Sequence, residues 1–345
     1  MRRTLRNAYI AGTGFYAPPR VVSNDALQSE FGIDTTHDWI VQRTGIEQRH
    51  FADDGVGTSD LAVPAAEQAI ERAGLTKQDI DLIVFCTLSA EMSFPGSGVF
   101  LQRKLGLCDT GRFVPALDVR NQCSGFLYGL STAVSMVQAG AYDNVLLVGA
   151  EKQSSAIDLT SRGRQVSTLF GDAAGAVIVR ATDEDRGVRT VHLGADGRFA
   201  ELLCHRIWDI KQRPFIPQNE QGVGQVQPEL LWANMDGRQV FRHAVERMTG
   251  SLAHVMHEQS VTLDQIDLFV FHQANLRINQ FIQQQLGAPP EKFINNIQRY
   301  GNTTAATIPS LLYEAETTGR LTRGMKVAMV AFGSGFTWGA SIVDW

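Results

Sequence analysis

The chain has 345 residues, 44% hydrophobic and 19% charged, a composition that excludes a disordered or collagen-like protein and predicts a buried core of roughly two domains. The formal net charge of −5 excludes a global basic field that would hold nucleic acid or an anionic membrane. No apolar run approaches the roughly 20 residues that cross a bilayer, and Met1–Gly12 lacks the apolar stretch of a secretory signal, so we expect a cytoplasmic protein.

Short apolar runs alternate along the chain with segments of helical periodicity. The runs are apolar on both faces, which is typical of strands covered by helices on each side, and the alternation predicts an α/β fold. From the N-terminus onward, the predicted elements are strand Asn7–Gly12, helix Asp60–Ala73, strand Ile80–Phe85, helix Ser124–Ala139, strands Asn144–Gly149 and Ala176–Val179, helix Gly237–His257, strand Ile266–Phe271, helices Ala274–Leu286 and Thr304–Thr318, and strands Lys326–Ala331 and Ala340–Val343.

Two pairs of segments repeat within the chain. Leu75–Phe85, LTKQDIDLIVF, matches Val261–Phe271, VTLDQIDLFVF. Further on, Cys123 opens a helix that leads to the strand VLLVGAE, and Asn302 opens one that leads to VAMVAFG. Two ordered matches indicate two copies of an α/β unit of about 170 residues each, which we assign to residues 1–183 and 184–345.

The repeat places Cys123 of the first unit, and His272 and Asn302 of the second, at strand ends and helix starts that correspond between the units. Cys123 and Asn302 stand at helix starts, and His272 ends the strand copy whose partner residue is Cys86. A pseudo-twofold axis would bring such strand ends and helix starts to one central crevice, where open α/β sheets bind ligands. We therefore expect Cys123, His272 and Asn302 to share one site.

Cys123 is the candidate nucleophile. A thiol at a helix start meets unpaired backbone N–H groups and the positive end of the helix dipole, so we expect a lowered pKa. The alternative is the role of most free cysteines, a small buried apolar residue. The four cysteines contain no C-x-x-C pair, which predicts neither a disulfide framework nor a zinc site.

The other two residues also have structural interpretations. His272 follows a buried strand, where an imidazole can donate hydrogen bonds or move protons near neutral pH, but an isolated histidine is more often a satisfied core residue. Asn302, in RYGNTTAATIPS, reads equally well as a helix N-cap. The glycines of AFGSGFTWGA allow backbone N–H groups to face a ligand oxygen, although such a strand end is usually only a turn.

Four blocks carry a resemblance to a known family. DVRNQCSGF, FHQANLRI, GNTTAAT and AFGSGFTWG resemble, in order and spacing, the signature blocks of β-ketoacyl-acyl-carrier-protein synthase III, a member of the thiolase superfamily. WIVQRTGIEQRH, SFPGSG and FGDAAGA extend the resemblance over essentially the whole chain. It implies an internally duplicated, five-layered αβαβα fold of thiolase type, a homodimer, and a catalytic triad at Cys123, His272 and Asn302.

The resemblance also implies the reaction, a decarboxylative Claisen condensation in fatty acid or polyketide biosynthesis. Cys123 would take an acyl group from acyl-CoA as a thioester, with the backbone N–H groups of Cys123 and Ser334 holding the oxyanion. His272 and Asn302 would bind the thioester carbonyl of a malonyl group on an acyl carrier protein, and the carbanion formed as CO₂ leaves would attack the acyl-Cys123. Acyl-CoA and the malonyl thioester are substrates, so no cofactor and no metal are expected.

Binding residues follow from the same resemblance. Trp39 and Arg162 would sandwich the CoA adenine, and Arg43 would lie near its phosphates. Phe94 would cross the dimer interface into the partner's acyl pocket, and Phe170 would line the tunnel. The residues implied for carrier-protein binding are Arg242, Gln273, Ala274, Asn275, Leu276 and Arg277.

The chain departs from the family pattern in four places, one of which is Ser334, where a glycine is common but the backbone N–H is kept. Gln284 and Gln285 replace two lysines that are usual on the carrier-docking helix. Asn121 and Gln122 replace the small residues that usually precede the nucleophile. The stretch Glu201–Asp236 is longer than usual and lies near the acyl pocket in this fold, so we expect an acyl donor other than acetyl-CoA, with medium-chain acyl-CoA preferred.

Three other functions compete with this one. A papain-like protease also runs Cys, His, Asn along its chain, but Cys123 lacks the C-G-S-C-W context, and the duplicated units do not suit that fold. A secondary-metabolite acyltransferase or chain-joining ketosynthase of the same family would use a different acceptor. A silent subunit that only shapes a dimer pocket is disfavoured because all three polar residues are retained.

Overall fold

The computed structural model describes residues 6–345 except 208, 209, 212, 215, 217, 222, 223, 225 and 227. The strands of the described residues are β1 Asn7–Tyr16, β2 Val21–Ser23, β3 Gln48–His50, β4 Leu82–Cys86, β5 Ala116–Val119, β6 Asn144–Glu151, β7 Ala173–Thr182, β8 Gly187–Ala195, β9 Leu203–Cys204, β10 Asn234–Met235, β11 Leu268–Phe271, β12 Lys326–Gly333 and β13 Thr337–Asp344.

Helices connect these strands. The α-helices are α1 Asn24–Ser29, α2 His37–Thr44, α3 Thr58–Arg72, α4 Ser97–Lys104, α5 Gly125–Gln138, α6 Arg164–Ser167, α7 Pro228–Leu231, α8 Gly237–Glu258, α9 Leu276–Leu286, α10 Ile297–Tyr300 and α11 Thr307–Thr317. Short 3₁₀ turns occur at Lys77–Asp79, Leu107–Thr110, Gln122–Ser124, Ser161–Gly163, Gly197–Leu202, Leu263–Gln265, Pro290–Lys292 and Thr304–Ala306.

Two large sheets share one topology. Over the described residues, the first has strand order β1-β7-β6-β4-β5 and the second has β8-β13-β12-β11. In both, the first two pairings are antiparallel and the third is parallel. A parallel bridge between Phe269 and Phe293 stands beside β11 where β5 stands beside β4. The strand order therefore shows the internal duplication that the sequence repeats predict.

Five layers follow from how the core residues are shared. Helices α5 and α11 contribute to a central core together with residues of both sheets. Helices α3 and α4 cover the outer face of the first sheet, and α8 and α9 cover the outer face of the second. The expected αβαβα order is confirmed. Strands such as β4, in which every residue is buried, are the continuous apolar runs from which the sequence predicted this arrangement.

Some boundaries differ from the prediction. The helix predicted from Thr304 begins as a 3₁₀ turn and becomes α-helical only at Thr307. Strand β8 was not predicted, because it is half-buried along most of its length and lacks a continuous apolar run. Part of the long stretch Glu201–Asp236 lies outside the described residues; the described part includes the short pair β9 and β10. Among the described residues, no helix combines the length and apolarity needed to cross a bilayer.

Candidate active site

Cys123 lies in the 3₁₀ turn that joins β5 to α5. The turn is tightly built, since Gln122 has a left-handed φ of 46°, a region that non-glycine residues rarely adopt. Gly333, at the end of β12, packs directly against it, and a Cβ there would lie 2.9 Å from the Cys123 Cβ and 3.1 Å from its backbone nitrogen. The C-terminal half therefore needs glycine at this point to let the thiol reach the center of the molecule.

The expected low pKa of Cys123 is wrong. Burial and, to a smaller extent, the charge of Glu151 raise the pKa of this thiol to about 12, although hydrogen bonds from its own backbone N–H and from the Asn302 side chain act in the opposite direction. Desolvation of the thiolate outweighs the favourable N–H groups of the helix start. The thiol is therefore neutral, and a nucleophilic role would require a base that takes its proton.

His272 follows β11 and continues its ladder, because its N–H donates to the Val330 carbonyl (2.8 Å). Its Nδ1 lies 2.7 Å from the Thr307 Oγ1, and that hydroxyl donates to the Thr304 carbonyl at 3.0 Å. With the hydroxyl proton so used, Nδ1 carries the imidazole proton and Nε2 has a free lone pair. Within the described part of the chain, Nε2 is buried without a hydrogen-bond partner, and burial lowers the pKa of His272 to about 3. The ring is a neutral acceptor.

Asn302 lies in the turn between α10 and the 3₁₀ turn Thr304–Ala306. Its backbone N–H donates to the Leu169 carbonyl (2.8 Å), and its own carbonyl accepts from the Gly171 N–H (3.2 Å). The side-chain Oδ1 accepts a hydrogen bond from the Thr304 N–H at 2.9 Å, which leaves the amide Nδ2 for the Cys123 thiol. Thr303, not Asn302, is the N-cap of this 3₁₀ turn, so the helix-cap interpretation of Asn302 is wrong; its Oδ1 instead fixes the turn through the Thr304 N–H, while Nδ2 remains available to the site.

Sequence reasoning missed a buried carboxyl behind the triad. Glu151, the last residue of β6, accepts hydrogen bonds from the Ser89 hydroxyl (2.6 Å) and from the Gln153 amide (3.3 Å). The same amide donates to the Thr304 hydroxyl (3.0 Å), so a chain of contacts runs from Glu151 to the turn of Asn302. Burial raises the pKa of Glu151 to about 7. The signal in the sequence was a glutamate ending the otherwise apolar run VLLVGAE.

Two cavities meet at Cys123. The first, of about 110 Å³, is lined by Cys123, His272 and Asn302 together with Phe170 and apolar side chains of α8 and α9. The second, of about 330 Å³, is lined by Cys123, Phe170 and Ser334 and by residues of β9 and the segments around it. The structure therefore brings the three predicted polar residues to one site and places Phe170 and Ser334 beside it.

The predicted adenine sandwich is arranged differently. Arg164, not Arg162, lies over the Trp39 ring, 4.8 Å from its centroid, and Arg43 lies 4.3 Å from the same ring. Arg162 instead donates from Nε to the Asp158 carboxylate at 2.7 Å. Both Arg162 and Arg164 line a third cavity of about 570 Å³. Arg162, which the family resemblance assigns to the adenine, therefore lines this cavity without covering the Trp39 ring.

The residues expected to bind a carrier protein fall into two groups. Gln273 is fully buried, and its amide donates to the Phe271 carbonyl and to Asn295, so its role as a direct carrier contact is wrong for this conformation. Ala274 and Asn275 line the first cavity, and Leu276 packs against Gly45.

The exposed members of the set are both arginines. Arg242 lies exposed on α8 and Arg277 on α9, and Arg277 also donates from Nε to the Gln42 carbonyl (3.0 Å). Gln284 and Gln285, which stand where lysines are usual in the family, are exposed on α9. This part of the helix surface is therefore uncharged.

Phe94 is 83% exposed in the loop before α4. Met92, Phe113 and Leu117 are further large apolar side chains exposed on this side of the chain. Strand β5, which carries Leu117, is an edge strand that pairs with β4 alone among the described strands. An exposed apolar edge strand is an aggregation hazard unless a partner covers it.

Comparisons with known proteins match the geometry. Family models for 3-oxoacyl-[acyl-carrier-protein] synthase III match residues 117–197, and for its C-terminal part residues 256–345. A β-ketoacyl-[acyl-carrier-protein] synthase III of Clostridium perfringens is 38% identical over 98% of this chain and 99% of its own.

Solved structures agree with this likeness. The synthase III of Thermus thermophilus is 36% identical, with a TM-score of 0.87, over 98% of this chain and 99% of its own. The priming β-ketosynthase of the R1128 polyketide pathway is 30% identical, with a TM-score of 0.87, over 99% of this chain and 98% of its own.

Proposed function

Because the chain belongs to the β-ketoacyl-[acyl-carrier-protein] synthase III family, we propose that Cys123, His272 and Asn302 condense an acyl group from acyl-CoA with a malonyl thioester. The protein is an acyltransferase of the thiolase fold. The observation that carries the residue assignment is the buried, unpartnered His272 Nε2, which lines one cavity with the Cys123 thiol and Asn302. A core histidine would have both nitrogens satisfied.

Acylation uses His272 as an acceptor. The Cys123 thiol passes its proton to the His272 Nε2 as sulfur attacks the thioester carbonyl of acyl-CoA. The backbone N–H groups of Cys123 and Ser334 hold the oxyanion. The carbon–sulfur bond to CoA then breaks, and the CoA thiolate takes the proton from His272. One thioester is exchanged for another, so the step needs no cofactor.

Condensation uses His272 as a donor. If the Thr307 hydroxyl turns from the Thr304 carbonyl toward Nδ1, a neutral imidazole carries its proton on Nε2. Nε2–H and the Asn302 amide then donate to the thioester carbonyl of the malonyl group and stabilise the enolate formed as CO₂ leaves. The carbanion attacks the acyl carbonyl, the bond to the Cys123 sulfur breaks, and the released Cys123 thiolate takes one proton from solvent water. The product is a β-ketoacyl thioester.

Acyl-CoA and the carrier protein would each bind at a pair of arginines. Trp39 with Arg43 and Arg164 would hold the adenine and phosphates of CoA, since a flat cationic stack suits an aromatic base and its anionic groups. Arg242 and Arg277 are exposed on α8 and α9, the two helices that line the first cavity, and we assign the acidic, phosphopantetheine-bearing carrier protein to them.

We also propose a homodimer. The edge strand β5 carries the exposed Leu117, and Met92, Phe94 and Phe113 are exposed in the segments between β4 and β5. A second copy of the chain would extend the first sheet through β5 and cover these side chains. Phe94 would then point into the partner's second cavity.

Intact-protein mass spectrometry tests the reaction. Incubation with acyl-CoA should add one acyl mass at Cys123, and a malonyl-carrier thioester should then remove it with release of CO₂. Absence of the label, or its removal without CO₂ release, would contradict a decarboxylative condensation; the second result would favour an acyltransferase with another acceptor. Similarity to the R1128 priming synthase makes a polyketide primer the second candidate pathway, distinguished by which carrier protein discharges Cys123.

A further inference from the structure

The second cavity has apolar walls and also polar and charged side chains. Leu88, Ile157 and Phe170 are among its apolar walls, but Arg120, Gln122, Gln153 and His205 also line it. Among the described residues that line it, one carries a formal charge at neutral pH when His205 is neutral, and none is acidic. Arg120 and His205 are exposed, whereas Gln153 is buried and donates hydrogen bonds to Glu151 and Thr304. The polar groups of this cavity are therefore either reached by solvent or paired, as a site for a polar acyl group requires.

Arg120 is the cation of this cavity. Within the described part of the chain, no hydrogen bond, ion pair or ring contact engages its side chain. Other arginines of the molecule form ion pairs: Arg162 pairs with Asp158, and Arg112 pairs with Asp81. An arginine with five free donors beside a nucleophile is suited to a carboxylate, which it can bind through two parallel hydrogen bonds.

His205 keeps this site singly charged. Its Nε2 lies 2.8 Å from the Leu231 carbonyl, which fixes the proton on that nitrogen. Burial lowers the pKa of His205, and the nearby charge of Arg120 lowers it further. The imidazole is therefore neutral at pH 7, and the guanidinium remains the one charged partner for an incoming group.

Chain geometry limits the distance between Arg120 and the nucleophile. Arg120 stands three residues before Cys123, so their Cα atoms are at most about 11 Å apart. An acyl chain of about four to six carbons on the Cys123 sulfur, met by an extended arginine side chain, spans such a separation. Methylenes of that chain would lie against Leu88, Ile157 and Phe170, and its far end would meet the guanidinium.

We propose that Arg120 binds a carboxylate at the far end of the priming acyl group, so the preferred donor is a dicarboxylic acyl-CoA of about four to six carbons. This inference rests on the proposed function, since it assumes that the primer is carried on Cys123. It replaces the expectation of an unsubstituted medium-chain donor. The chemistry on Cys123 is unchanged: the same transfer of the acyl group from CoA sulfur to Cys123 sulfur, with the distal carboxylate as a bystander.

Acylation kinetics with two matched donors test it. Glutaryl-CoA carries the terminal carboxylate and hexanoyl-CoA does not, and the mass gained at Cys123 is followed over time for each. We expect the wild type to prefer glutaryl-CoA in kcat/KM by about tenfold or more, the value of a charge-assisted hydrogen bond. Arg120→Met should lower kcat/KM for glutaryl-CoA by about ten- to a hundredfold and leave hexanoyl-CoA within about twofold, whereas Arg120→Lys should retain most of the preference.

Each outcome decides the assignment. Arg20→Met, an exposed arginine paired with Glu30, is the control and should change neither donor. If hexanoyl-CoA acylates wild-type Cys123 at least as well as glutaryl-CoA, the carboxylate subsite is wrong while the proposed condensation stands. If neither donor labels Cys123, both proposals fail. If Arg120→Met slows both donors equally and weakens the dimer, Arg120 belongs to the subunit interface and the subsite is overturned.

Discussion

The equivalent strand ends of the two halves of the molecule have different roles. Strand β6 ends at Glu151 and its counterpart β12 ends at Gly333, since VLLVGAE aligns with VAMVAFG. Glu151 gathers hydrogen bonds from the Ser89 hydroxyl and from the backbone N–H of Leu88 and so fixes the loop after β4. Gly333 offers only backbone and lets Cys123 approach within contact distance. The scaffold is duplicated, but one end orders a polar network and the other makes room for the nucleophile.

A second pair shows the same divergence. Cys86 ends β4, and His272, which is its equivalent in the repeat, directly follows β11. Cys86 is fully buried, and a Cβ on Gly129 would lie 2.3 Å from its sulfur, so the helix α5 closes over it. Burial raises the pKa of Cys86 as it does that of Cys123. What separates the two cysteines is a cavity and a base within reach, because neither thiol is activated by its backbone alone.

Substitution of the two cysteines should produce the largest contrast. Cys123→Ala should abolish acylation completely, because the attacking sulfur is gone. Cys86→Ala should retain acylation, since Cys86 lines neither cavity at the site, and should lose only a modest free energy of unfolding. Mass spectrometry after incubation with acyl-CoA measures the first effect and thermal unfolding the second. Persistent labelling of Cys123→Ala would remove Cys123 as the nucleophile.

The two polar partners should separate the half-reactions. Asn302→Ala should reduce CO₂ release from the malonyl thioester by about 10²–10³, the usual loss for one oxyanion donor, with a smaller effect on acylation. His272→Ala should impair both steps, because the neutral thiol also needs the Nε2 lone pair. Radiolabelled malonyl thioester measures decarboxylation and mass spectrometry measures acylation. Wild-type CO₂ release by Asn302→Ala would contradict its role in binding the enolate.

Glycines at the junction between the halves test the close packing. Gly333→Ala would place a Cβ 2.9 Å from the Cys123 Cβ, and Gly149→Ala would place one 2.2 Å from the Ala305 carbonyl oxygen. Overpacking of this kind costs typically about 1–3 kcal/mol. We expect Gly149→Ala to lower the free energy of unfolding more, because its neighbour is rigid backbone, and Gly333→Ala to lower acylation more. Gly250→Ala, where a Cβ meets nothing within 4 Å, is the control for both.

The sequence predicted most of the fold and the meeting of Cys123, His272 and Asn302 at one site, because these depend on apolar periodicity and on the internal repeat. It could not predict the environment of those residues. The Cys123 helix start suggested a low pKa, but the dry interior reverses the sign, and burial is a property of the whole fold. Arg162 and Arg164 stand two residues apart in SRGR, and only the folded chain shows that Arg164 covers Trp39. Glu151 was visible only as one polar residue ending a strand.

Substitution of Glu151, the buried carboxyl at the end of β6, should have the smallest effect on turnover. In the folded chain burial raises the pKa of Glu151 from 4.5 to about 7, so the folded state holds this proton more tightly than the unfolded state. The resulting stability is fully present below about pH 4.5 and is lost as the pH rises through 7. Glu151→Gln should remove this loss, giving a melting temperature that falls less between pH 4.5 and 7 than that of the wild type. The exposed Glu47→Gln is the control and should leave the wild-type melting profile unchanged.

Because the Glu151 charge also raises the pKa of Cys123, alkylation of Cys123 in Glu151→Gln should begin at lower pH. An unchanged alkylation profile together with an unchanged melting profile would show that Glu151 is not the titrating group behind the nucleophile, and the contrast between the two strand ends would then be one of shape alone.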